Sequence, residues 1–70
     1  MVILGELTEL QAQQLTGQLY APDLYFNPIQ VVGVWYISIE EMQGCVNPEF
    51  DWVKTIPIKM VEIPTENEIQ

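Results

Sequence analysis

Within 70 residues this chain has a single cysteine, Cys45, and no histidine, and that pairing narrows its folding options more than any other feature. An intrachain disulfide is impossible, and the usual Cys/His zinc set has no ligands. A chain this short has room for one core and buries only about 60% of the surface it exposes when unfolded. One small core supplies roughly 3–5 kcal/mol, which leaves association as the remaining source of stability. The sequence reads as one domain over residues 1–64, with an acidic polar tail over residues 65–70.

Charge sharpens that reading. Ten Asp and Glu stand against two Lys, a formal net charge of −8, yet 49% of the residues are hydrophobic. A disordered acidic segment lacks such apolar content, and a self-sufficient acidic domain usually spreads lysines among its carboxylates. The combination implies a folded module whose partner is a protein, either a copy of itself or a larger assembly. The charge argues against direct contact with nucleic acid or an anionic membrane surface. Met1–Leu4 is apolar, but Gly5-Glu6 follows at once and no basic flank precedes it, so it does not read as a signal peptide. No apolar run approaches the roughly 20 residues that span a bilayer. The expected location is the cytoplasm of a host cell, or a virion.

The local pattern alternates strand and helix signals. Met1–Leu4 reads as a short strand and Gly5-Glu6 as a turn. Thr8 and Gln11 have capping-box spacing and Glu9 suits the positive end of a helix, which predicts a helix over residues 9–16 with Leu10, Ala12, Leu15 and Leu19 on its apolar face and Gly17 as its stop. Tyr20-Ala21-Pro22-Asp23 reads as a turn. Leu24–Gln30 and Val34–Ser38 are rich in β-branched and aromatic residues and predict a hairpin turning at Val32-Gly33, with Pro28 making the first arm an edge or delaying its start.

Ser38 and Glu41 repeat the capping box ahead of a helix of barely more than one turn, closed by Gly44. Asn47-Pro48 opens another short helical turn from which Phe50 and Trp52 pack back. Thr55–Ile63 is the last predicted strand. Ile56, Ile58 and Met60 share one face, Pro57, Lys59, Val61 and Ile63 share the other, and Pro57 marks it as an edge. The fold class is α+β: a small antiparallel sheet of three to four strands, one short N-terminal helix and one or two single-turn helices.

Candidate chemistry is sparse. Cys45 lies near Glu40, Glu41 and Glu49 with no base beside it, an environment that disfavours a thiolate, so it reads as a small core hydrophobe. Without histidine no Ser-His or Cys-His dyad can form. The pairs Glu40-Glu41, Glu49 with Asp51, and Glu66 with Glu68 lack the dense spacing of a calcium loop and read as a solvated acidic surface. No catalytic residue, metal ligand or cofactor is nominated, and an enzyme is not expected. The aromatics say more. Trp35 and Tyr36 are neighbours on a strand and point to opposite faces, so one can enter the core while the other needs different cover. Tyr25, Tyr36 and Trp52 are candidate contact residues of the type enriched at interfaces. Val32, in the apolar tip Val31–Val34, and Ile58, on the edge strand, complete the candidate interface set.

Four stretches carry a resemblance: Leu7–Ala12, Tyr20–Gln30, Trp35–Glu41 and Asn47–Lys54. Together they resemble small uncharacterised proteins encoded by bacteriophages and mobile elements. That resemblance implies a virion or phage-encoded accessory setting and transfers no functional residue. The apolar run Val31–Val34 departs from a polar hairpin turn and marks a buried or contacting tip. Two functions then compete. The first is a structural or assembly protein, such as a minor virion component, docking by an edge strand or aromatic face. The second is an acidic mimic of nucleic acid that inhibits a host defence or DNA-handling enzyme. The carboxylates are scattered from Glu6 to Glu68 rather than arrayed in a run, which favours the first.

Overall fold

The computed structural model describes residues 1–62; Ile63, Pro64, the predicted tail and the Glu66–Glu68 pair lie outside the described residues. Strand β1 runs Val2–Leu7, straight through the expected turn at Gly5-Glu6. Packing explains the difference. A Cβ on Gly5 would lie 2.5 Å from Met42 Sδ and 2.6 Å from Ile56 Cδ1, so this glycine lets two side chains close onto the strand and does not bend it.

Helix α1 spans Glu9–Leu15 and begins with the predicted reciprocal cap: Gln11 N–H donates to Thr8 Oγ1 at 3.1 Å, and Thr8 N–H donates to Gln11 Oε1 at 2.9 Å. Its buried stripe is narrower than the sequence suggests. Ala12 and Leu15 are buried, Leu10 is exposed, and Leu19 already belongs to the next strand. Gly17, at φ +82, makes the turn that ends the helix.

Strands β2 (Leu19–Ala21) and β3 (Leu24–Tyr25) form a small separate antiparallel pair, so Tyr20 and Ala21 lie in a strand and the turn shrinks to Pro22-Asp23, with Asp23 at φ 61. The predicted first hairpin arm is thereby split. Leu24 and Tyr25 pair with β2, residues 26–28 are irregular, and only Ile29–Val31 forms β4. Pro28 thus precedes the strand. β5 spans Val34–Ser38 as predicted, after the turn at Val32-Gly33.

Helix α2 (Ile39–Gln43) carries the second capping box. A 3-10 helix, Pro48–Thr55, follows an Asn47 cap and kinks at Phe50. The last strand, β6, is shorter than predicted at Ile58–Val61, because Thr55 ends the 3-10 helix and Ile56 caps it.

Mixed helix and strand content makes this a small α+β fold. The main sheet is antiparallel throughout in the order β4-β5-β1-β6. Leu7 and Ile37 from its centre join Ala12, Leu15, Phe26, Met42, Cys45, Val53 and Ile56 in the core. Ring contacts of 5.3 Å (Tyr20–Phe26), 5.7 Å (Phe26–Phe50) and 6.4 Å (Phe50–Trp52) tie the small sheet to the 3-10 helix. The buried Glu41 carboxylate fastens another junction: it accepts from Asn27 N–H, from Ser38 N–H at 3.0 Å and from the Ser38 hydroxyl at 2.7 Å. The strand–helix corner and the loop into β4 are therefore held by one side chain.

Candidate contact surface

The register sorts the sheet residues onto two faces, since directly opposed residues of antiparallel strands point the same way. Ile3, Gly5 and Leu7 share a face with Trp35, Ile37, Ile58 and Met60. The helices pack on this side, where Leu7 and Ile37 enter the core. Val2, Leu4 and Glu6 share the other face with Ile29, Val31, Val34, Tyr36, Ser38, Lys59 and Val61. No residue of this second face belongs to the main core cluster, though Leu4 and Val61 on it are themselves buried. Trp35 and Tyr36 divide as their period-two spacing requires, with Trp35 against the core and Tyr36 half-buried in the middle of the second face.

Helical cover on the first face stops short. Around Leu7 and Gly5 the side chains are buried, but at the opposite end Ile3 is 54% exposed, Ile58 56%, Met60 70% and Met1 83%. Ile3 and Met60 are direct cross-strand partners, and Ile58 sits one pleat along on the same side. These residues form a bare apolar patch beside the β6 edge.

Among the described residues no strand pairs with the outer side of β6. Glu6 N–H donates to Pro57 O at 2.8 Å, so Glu6 and Pro57 occupy a hydrogen-bonded position of the β1–β6 ladder. Alternation then directs the Lys59 and Val61 amides and carbonyls toward β1 and leaves those of Ile58 and Met60 pointing outward. Pro57 faces inward and shields nothing. The opposite edge is built differently. In β4, Ile29 and Val31 face β5, Gln30 alone offers an outward N–H, and Pro28 just before it has none.

The sequence-nominated contact residues occupy separate places. Tyr25 is exposed on β3, Val32 is exposed at the tip of the β4–β5 hairpin, and Tyr36 lies in the second face. Trp52 is half-buried against the core through Phe50, and Ile58 belongs to the bare edge patch. They do not form one site. Sequence reasoning missed Met1, Ile3 and Met60 as contact candidates; the alternation of Ile58 and Met60 was visible, but their pairing with Ile3 was not.

A second apolar region surrounds a shallow open cleft of about 210 Å³ between β2 and the loop before the 3-10 helix, lined by Leu19, Tyr20, Ala21, Pro22, Val46 and Asn47. Its walls are stitched by Val46 N–H to Tyr20 O at 2.8 Å and by Asn47 Nδ2–H to Leu19 O at 3.1 Å. The neighbouring Cys45 is buried, its Sγ 3.6 Å from the carbonyls of Asn47 and Phe50. Among the described residues no group of three or more His, Cys, Asp or Glu side chains is placed to hold a metal ion, and no helix is long and apolar enough to cross a membrane. Lys54 pairs with Asp51 at 3.3 Å on the surface. Comparison with family models, curated proteins and solved structures returns no match.

Proposed function

We propose that this chain is a non-enzymatic structural or assembly protein that works through protein–protein contacts. The bare patch of Ile3, Ile58 and Met60 beside an edge with outward amides carries the reading. Small domains usually blunt such an edge with short length, inward charges, proline or a covering loop, as β4 is blunted here by Pro28. An apolar side-chain row next to free backbone groups is what strand addition uses: main-chain bonds supply affinity and alternate side chains supply specificity. The resemblance to phage and mobile-element proteins makes a minor virion component the natural setting.

Purification of the tagged chain from its native source at high salt tests this proposal. An assembly of defined stoichiometry that survives salt supports it. Elution as a free monomer under every condition contradicts it.

A further inference from the structure

Resting on the reading of this chain as a protein that works by contacts, but on a different surface of it, we infer that the tip of the β4–β5 hairpin is a second contact, where Val32 acts as an apolar knob that fills a closed pocket on a protein partner. The tip stands far from the β6 edge. Val31 pairs with Val34 beyond the level at which Trp35 meets Leu7, whereas Met60 meets Ile3 at the other end of β1.

Backbone and exposure conflict at this residue. Val32 at φ 49 and Gly33 at φ 79 occupy the two left-handed positions of a two-residue hairpin turn. A β-branched residue suits the first of them badly, because its Cβ crowds the following carbonyl. Val32 is nevertheless 90% exposed, so no packing among the described residues offsets the strain. The tip also stands clear of the body: nothing lies within 4 Å of the point that a Cβ on Gly33 would occupy. Strain of this kind collects where a side chain serves something other than stability.

Charge selects the occupant. From Leu24 to Ile39 the sequence carries no charged residue, in a chain of net charge −8, and both arms of the hairpin, Ile29–Val31 and Val34–Ser38, lie inside that stretch. A neutral arm on an acidic body enters an apolar pocket without taking a charge out of water. The same arm offers nothing to a basic groove. Burial must also be nearly complete, since half-covering one valine removes too little apolar surface to offset its backbone conformation. A flat contact or a bilayer surface falls short of that, and anionic lipid repels the acidic body as well. A walled pocket on a protein meets the requirement.

Valine-methyl NMR in the presence of a soluble gadolinium chelate tests this on the labelled full chain, free and assembled into the salt-stable complex with partner purified from the native source. The Val32 methyl signals are those missing from the spectrum of Val32→Asn. They should broaden strongly in the free chain and escape broadening in the complex, with Val53, 0% exposed, as the shielded reference in both. Val32→Asn should raise the urea midpoint yet weaken the complex about tenfold or more, while the Ile58 and Met60 amides stay shielded in the fraction that forms. Val32→Thr keeps the branch and its strain, and should weaken the complex at an unchanged midpoint.

Equal broadening of Val32 in the free and bound chain, or a Val32→Asn variant that binds as tightly as the wild type, overturns the knob. Shielded Ile58 and Met60 amides in that same complex leave the proposed function standing. Protection of Val32 by phosphatidylcholine or phosphatidylglycerol vesicles alone overturns the protein pocket in favour of lipid. Failure to recover any salt-stable complex removes both.

Discussion

Val32 is the most strained residue described in the chain. It is β-branched, 90% exposed, and sits at φ 49, where L-residues with a bulky Cβ clash with the following carbonyl. With Gly33 at φ 79 beside it, the loop has the two left-handed positions of a type I′ turn, which Asn-Gly fills without strain. Val32→Asn should stabilise the fold by about 1 kcal/mol in urea denaturation. Since Val32 lies at the opposite end of the sheet from the Ile3–Met60 row, the substitution should leave β6 association unchanged. Glu41 has the opposite sign. Its carboxylate meets two backbone amides and a hydroxyl inside the protein, so Glu41→Gln turns one accepting oxygen into a donor facing a donor. The expected loss is roughly 1–3 kcal/mol, read as a lower denaturation midpoint at unchanged m-value.

At the scale of elements, Gly5 shows how packing overrides a turn signal. Gly5→Ala should destabilise by about 1–3 kcal/mol through overpacking against Met42 and Ile56. Trimming the facing side chain with Ile56→Val should restore part of that loss, so a double-mutant cycle should show coupling between the two positions. Short-range chemistry was legible in the sequence: the caps at Thr8, Ser38 and Asn47, the Val32-Gly33 turn, and the extent of β5 all rest on residues within a few positions of one another. Long-range pairing was not. Nothing near Gly5 announces that Met42 and Ile56 will need its missing side chain, and Leu24-Tyr25 reads as part of the main hairpin until Leu19 claims it as a partner. The contact patch follows the same rule. Ile58 could be nominated from its own strand, whereas Ile3 and Met60 matter only because β1 and β6 pair and the helices cover the other end of that face.

For the whole molecule, the absence of any disulfide or Cys/His metal staple from the sequence and the exposed apolar row beside β6 suit the proposed role, in which a partner completes a small core. On that proposal linkage makes thermal stability partner-dependent, with the melting temperature of the wild type rising in its native complex and that of Met60→Lys staying at the value of the free chain. Salt separates the account from its competitor. A contact made through an apolar row survives high salt, whereas an acidic mimic in a basic groove loses affinity as salt rises. Amide hydrogen exchange in β6 tests the central claim most directly. In the native complex the Ile58 and Met60 amides should be protected along with those of Lys59 and Val61; in the free chain the first two should lose protection while the β1-bonded pair keeps it. Rapid exchange at Ile58 and Met60 in the complex as in the free chain, with Lys59 and Val61 slow throughout, would contradict the account.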